Sequence, residues 1–396
     1  MNTPTDRHPG AAHTAHASLF TPLRVGQDLG LPNRLVVAPM TRVSATADGR
    51  ATAQMADYYE AFAAGGFGLV ITEGLYTDKA FAQGYRFQPG LADDAQRDAW
   101  RTVVDRVHAQ GGRIVAQLMH AGALSQGNSH RITTKGPSAV LPAGQQMAFY
   151  RGEGPYRMPD AMSADDIAEA IEGFAHAARR AQEAGFDGVE IHGANGYLLD
   201  QFLTAHTNLR QDRYGGSLEN RLRLTVDVIQ AVRRSTTEPF VVGVRSSQGK
   251  VNDFTHKWAG READAALIFG TLGALPIDYL HTTEFEAWGA AFGQAGPSLA
   301  ALARRQVSVP VLANGSLHDA ARADGMIARQ EADFVSLGRG ALTHADWPMR
   351  LRAGKEHETF DRGLLAPIAD LANAARHRSA HAEAKQPAPL KTSTSP

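Results

Sequence analysis

His192, Asn195 and Tyr197 stand within one short segment, GVEIHGANGYLLDQF, with spacing His-x-x-Asn-x-Tyr. The run Val189 to Ile191 just before them is apolar and reads as a buried strand, so the three side chains leave one strand tip. Two hydrogen-bond donors and a phenol placed there could converge on a single carbonyl compound. Singly, each has an ordinary explanation: a satisfied core histidine, a turn asparagine, a packed tyrosine. Together at one tip they argue for chemistry.

A second group is spread along the chain. Asn314-Gly315-Ser316 and Gly338-Arg339-Gly340 each follow a short apolar run and combine glycine with a hydroxyl or a guanidinium. A glycine after a strand is usually only a tight turn. Whether these groups meet depends on the elements that carry them.

Those elements alternate. Strands are predicted over 35–40, 69–73, 113–118, 189–192, 240–245, 277–281, 311–313 and 334–337. Helices are predicted over 55–64, 93–110, 164–184, 218–234, 261–273, 298–305, 318–329 and 346–352. Ser217 is a good N-cap for the fourth helix. About eight strand–helix units imply an α/β fold, a closed (β/α)8 TIM barrel; an open doubly wound sheet would usually stop at five to seven strands. Residues 19–34 read as an N-terminal hairpin closing the barrel bottom. Residues 121–162, rich in Gly and Pro and carrying Tyr150, Arg151, Tyr156 and Arg157, read as a capping insertion after the third strand. A single barrel domain is thus expected over 18–374, with a disordered leader (1–17) and a disordered tail (375–396). His8, His13 and His16 in the leader read as a loose polar tail before they read as a metal site.

In such a barrel the chemistry lies at the carboxyl ends of the strands. Those positions hold Pro39, Met40 and Thr41, then Gly74, Gln117, His192 and Arg245, and finally Asn314-Gly315 and Gly338-Arg339. The loops after strands seven and eight are where barrels often bind phosphate, so the two glycine segments, taken as a pair, point to a phosphorylated ligand. Arg245 at the barrel centre has two readings, a cofactor contact or an ion pair with an acid such as Glu73; the cost of an idle buried charge favours the first.

Bulk composition sets outer bounds. A chain of 396 residues, 43% hydrophobic and 20% charged, has ample core for a soluble globular protein. A net charge of −1 gives no electrostatic case for nucleic acid or an anionic membrane. The absence of cysteine excludes disulfides and thiolate-held metals or clusters. No apolar run is long enough to span a bilayer, and the polar N-terminus lacks the apolar core of a signal peptide, so a cytoplasmic address is the default.

The His-x-x-Asn-x-Tyr triple, followed by the block DRYGGSLENRLR, resembles the old yellow enzyme family of flavin-dependent ene-reductases. The resemblance runs from about Leu19 to about Gly354. It implies tightly but non-covalently bound FMN, NADPH or NADH as reductant, and a small electrophilic alkene as substrate: an enone, enal, maleimide or nitroolefin. Carried over residue by residue, Thr41 would bond the flavin C4 oxygen, Gly74 would leave room beside the ring, and Gln117 would bond the pyrimidine edge. Arg245 would lie near N1 and O2, with Gly315, Gly338 and Arg339 at the phosphate. Pro39, Met40 and Asn314 would complete the cofactor site, and no metal is implied. His192 and Asn195 would hold the substrate oxygen while Tyr197 supplies the proton. The family pattern leaves a monomer or a homodimer open.

Two departures from the pattern concern substrate. Met119 stands where a tryptophan is frequent, and the sequence after Arg245 is SSQGK rather than a Leu-Ser-Pro type. Lys250 and Trp258 in that stretch are either rim residues or part of a plain surface loop. Thr41 in place of cysteine sets the chain apart from the cysteine-bearing branch. Other readings are a relative of the larger dienoyl-CoA reductases or amine dehydrogenases, which need iron–sulfur cysteines the chain lacks, and a barrel that carries FMN without reducing alkenes.

Overall fold

A computed structural model describes residues 16–384 of the chain. Eight parallel strands close into a ring: β1 (Leu35–Val37), β2 (Leu69–Ile71), β3 (Ile114–Met119), β4 (Gly188–Asn195), β5 (Val241–Lys250), β6 (Tyr279–Thr283), β7 (Val311–Asn314) and β8 (Phe334–Leu337). Each pairs with the next, and β8 pairs with β1, so the sheet has no open edge. The fold is a (β/α)8 barrel, as the alternation of strands and helices predicts.

Helices ring the barrel: α1 (Ala53–Ala64), α2 (Asp94–Ala109), α3 (Ala164–Ala184), α4 (Leu198–Leu203), α5 (Leu218–Ser235), α6 (Glu262–Gly273), α7 (Leu299–Arg304), α8 (Ala320–Ala328), α9 (Arg339–Thr343), α10 (Trp347–Arg352) and α11 (Leu371–Ala384). The longest, α3, shows why they form. Ser163 and Asp166 make a reciprocal capping box at its start, and Gly185 at φ 95° ends it in a left-handed turn. Ile167, Ala170, Phe174, Ala177, Ala178 and Ala181 repeat every three or four residues and are all buried. Ser217 caps α5 as its sequence predicts, accepting the Asn220 N–H.

The barrel floor is plugged from below. The antiparallel pair Leu23–Val25 and Leu29–Leu31 buries Val25, Leu29 and Leu31 against Val36, Leu69, Val115, Val241, Leu312 and Phe334. The polar strand tips and their cavities lie at the opposite, carboxyl end.

Several boundaries differ from the sequence reading. β4 does not stop at His192 but runs on through Asn195, and β5 continues to Lys250, because the two strands stay paired past a bulge between Ser246 and Lys250. Between the predicted fourth strand and its helix stands one more element, the short helix α4, in which Leu198, Leu199, Phe202 and Leu203 are buried. The predicted tail also begins too early. Residues 375–384 continue α11, where Ala-rich sequence favours helix and Leu371 and Ala374 are buried. Residues 385–396 and the leader up to residue 15 lie outside the described residues.

Candidate active site

The strand tips enclose two cavities that share part of their walls. One, of about 480 Å³, is lined by Pro39, Met40, Thr41, Gly74, Gln117, Met119, His192, Asn195, Tyr197 and Arg245. The other, of about 620 Å³, is lined by Asn314, Gly315, Ser316, Gly338 and Arg339. Pro39, Asn195, Arg245, Gly338 and Arg339 face both. All thirteen residues expected at the site therefore border one or other of these adjoining cavities.

His192 lies in β4 opposite Arg245 and is buried, with no partner for Nδ1. Burial, and then the nearby Arg245 guanidinium, push its imidazole down to about 3, so it is neutral. The Tyr197 ring lies 5.0 Å from the His192 ring, centroid to centroid. Its hydroxyl is hydrogen-bonded to the Tyr85 hydroxyl, and burial drives the phenol well above its ordinary range. Asn195 adopts a left-handed φ of 62°, held there by its N–H donating to Ser247 Oγ at 2.8 Å.

Arg245 does not pair with Glu73. That carboxylate accepts the Arg42 N–H and the Tyr59 hydroxyl instead, and burial raises it to about 7. Arg245 Nη2 donates to Asn314 Oδ1 at 2.9 Å, while Nε has no protein partner. Its electrostatic counterpart is Glu190, an acid placed in the middle of an apolar strand. Glu190 accepts from Gln117 Nε2 (2.8 Å), Tyr279 Oη (3.0 Å) and His281 Nδ1 (2.8 Å). Burial alone would raise this carboxyl; the His281 and Arg245 neighbours outweigh it and hold the group at about 2.

At the far end, Gly315 has φ 141°, and a Cβ there would come within 2.2 Å of the Glu284 carbonyl oxygen. Gly338 is different: its nearest neighbour would be Met40 Sδ at 3.6 Å, so its lack of a side chain leaves open room. Arg339 Nη2 donates to Ser316 Oγ. The Asn314 amide oxygen is shared, since Oδ1 also accepts from Thr283, while Nδ2 donates one N–H to the Ser336 carbonyl. Asn314 therefore orients Arg245 through its oxygen and lines the cavity beside Gly315.

Further residues line the cavity beside the thirteen. Tyr150 and Phe149 reach the cavity from the capping insertion, Val251 and Phe254 from the segment after β5, and Leu342 and Leu365 from beyond β8. Tyr150 is one of the insertion's residues named from the sequence, whereas the signal for Glu190 is a lone acid in an apolar strand. No local pattern marks Tyr85. Trp258, a candidate rim residue, is instead core, packed on Phe269 at 5.7 Å. Lys250 is buried rather than on a surface loop.

Residues 18–358 match the NADH:flavin oxidoreductase / NADH oxidase family. The chain belongs to this family. Among solved structures, the old yellow enzyme homologue from Zymomonas mobilis superposes with a TM-score of 0.80 at 32% identity, covering 89% of this chain and 97% of that one. A probable flavin mononucleotide-dependent alkene reductase from Leishmania infantum is 35% identical over 345 residues, 85% of this chain and 90% of its own length. An NADH oxidase from Thermoanaerobacter brockii is 30% identical over 356 residues, and the match spans only 52% of its length.

As a member of the old yellow enzyme family, the protein is an NAD(P)H-dependent flavin oxidoreductase that uses FMN. The site suits such a cofactor on its own evidence. Buried Arg245 Nε and His192 Nδ1 both lack a protein partner, and Gly338 leaves space beside Arg339. Among the described residues no helix is long and apolar enough to cross a membrane.

Proposed function

We propose that this protein reduces the C=C bond of small activated alkenes such as enones, enals, maleimides and nitroolefins, and that His192, Asn195 and Tyr197 carry the substrate chemistry. The observation that supports this most is the buried, uncharged and unpartnered His192 beside the Tyr197 phenol in a cavity that Asn195 also lines.

FMN would be held by Thr41, Gly74 and Gln117 around its ring system, by Arg245 near N1 and O2, and by Gly315, Gly338 and Arg339 at its phosphate, with Pro39 and Met40 alongside. One N–H of Gln117 Nε2 is given to Glu190, which leaves the amide oxygen and the second N–H for the ring edge. Asn314 contributes by fixing Arg245. Bound FMN supplies the hydride, drawn from NADH or NADPH.

His192 and Asn195 donate hydrogen bonds to the substrate's carbonyl or nitro oxygen and stabilise the negative charge that grows there. A neutral imidazole does this without placing a second cation beside Arg245. Tyr197, firmly protonated, delivers its proton to the carbon α to the activating group, and the Tyr85 hydroxyl holds the phenol in place. Met119 and Tyr150 shape the space above, with a flexible thioether where a rigid ring is frequent.

The deciding experiment reduces the purified protein with NADPH without oxygen and then adds 2-cyclohexenone. Return of the flavin's visible band with formation of cyclohexanone supports the proposal. A flavin that stays bleached until air enters, with each of the four alkene classes tried in turn, sinks it and leaves an NAD(P)H oxidase.

A further inference from the structure

We propose that Asp361, His377 and His381 form a binding site for a divalent transition-metal ion of the zinc, nickel or copper kind. Through it the C-terminal helix would be stapled to a segment that lines the active cavity. One donor atom from each of the three side chains lies within 4.8 Å of the other two.

Local geometry explains the convergence. His377 and His381 are four residues apart on α11, so they leave the same helix face one turn apart, with ring centroids 5.0 Å from each other. Asp361 comes from the opposite segment, where it caps the helical turn Arg362–Leu365 by accepting the Gly363 N–H at 2.8 Å. That bond occupies Oδ1. The other oxygen, Oδ2, lies 2.7 Å from His377 Nε2 and 3.7 Å from His381 Nε2.

Two of the three donors are thus held before any ion arrives. The carboxylate is fixed by Gly363, and the His377 ring rests so closely on the same glycine that a Cβ there would come within 2.2 Å of it. His381, 61% exposed, is free to swing in. An ordinary ion pair would account for one histidine against Asp361. It does not account for a second imidazole turned towards the same oxygen, where two protonated rings would repel and one divalent cation would satisfy both. Two imidazole nitrogens and one carboxylate oxygen suit zinc, nickel or copper, whereas magnesium and calcium call for all-oxygen shells.

The site has a structural reach. Leu365, at the end of the turn that Asp361 caps, lines the active cavity. Between that turn and α11, Ala369 donates its N–H to the Phe149 carbonyl at 2.9 Å, and Asp370 pairs with Arg151 at 2.6 Å. A bound ion would therefore fasten the segment that holds both one cavity wall and the capping insertion.

The test uses the untagged flavoprotein, freed of metal with a chelator and titrated with zinc by calorimetry beside His381→Gln and Asp361→Asn variants. His8, His13 and His16 are present in all three proteins, so any zinc they take cancels in the comparison. The wild type should bind one more zinc ion than either variant, or bind it about tenfold or more tightly. Zinc should also raise the melting temperature of the wild type alone, and magnesium should do neither. Identical zinc isotherms and melting shifts for the wild type and both folded variants would overturn the site. Because the readout is binding and not turnover, it stands apart from the alkene-reductase assay.

Discussion

Lys250 Nζ lies 2.8 Å from both carboxylate oxygens of Asp200, and both side chains are buried. Asp200 also accepts the Gly196 N–H at 2.7 Å, and Gly196 stands between Asn195 and Tyr197 with φ 86°. The Lys250 backbone pairs with Asn195 across the bulge that joins β4 and β5. One buried ion pair thus braces the turn from which two of the three proposed substrate-binding side chains depart.

Removing one partner of such a pair strands the other charge in the interior. Lys250→Met should lower stability by about 3–5 kcal/mol, read from urea unfolding of the holoprotein. Adding Asp200→Leu to it should recover part of the loss. A single variant as stable as the wild type would show that the pair is solvated and plays no bracing part.

For Tyr197→Phe, flavin reduction by NADPH should be preserved while the oxidative half-reaction with an enone slows by about 10²–10⁴-fold. Stopped-flow traces of the two half-reactions separate the effects. Equal slowing of both would assign the residue to cofactor geometry rather than to proton delivery.

His192 gives a pH signature. Its imidazole is ordinarily near 6.5 when unfolded and is held at about 3 in the fold. Between those values the unfolded chain binds a proton that the folded chain refuses. The group's contribution to stability is therefore present above about 6.5 and is lost as pH falls towards about 3. The oxidative half-reaction should show no ionisation near 6.5, and His192→Ala should reduce its rate by about 10²–10³-fold. A wild-type rate that drops with an apparent pKa near 6.5 would contradict a neutral, buried histidine.

Gly315→Ala should release the cofactor. The new methyl group would collide with the Glu284 carbonyl, and φ 141° is strained for any side chain. Purified variant protein should carry markedly less FMN per chain, measured by absorbance after denaturation. Full occupancy would mean that the loop after β7 does not approach the phosphate.

Much of this was legible because it repeats or clusters locally. The alternation of apolar runs and amphipathic stretches prescribes eight strand–helix units, and Ser217 marks its own helix start. Boundaries were harder. β5 reaches Lys250 only because β4 lies beside it, and a polar run such as SSQGK carries no strand signal of its own. The helix at 371–384 was missed because Ala-rich composition reads alike in a tail and in a docked helix; burial of Leu371 and Ala374 decides between them.

By itself the sequence determined the barrel, the strand-tip location of the site and the residue types at those tips, since hydrophobic period and chain order are written locally. Tertiary structure alone decided the partnerships. Arg245 could have met Glu73 or Glu190, and the closed ring places it against the charge of Glu190 while Asn314 turns its guanidinium. Tyr85 and Tyr197 are 112 positions apart, yet the barrel brings their hydroxyls together. Lys250, hydrophilic in isolation, is buried because Asp200 awaits it. Such pairings depend on which side chains the closed sheet faces towards each other, a long-range fact that no single stretch of sequence contains.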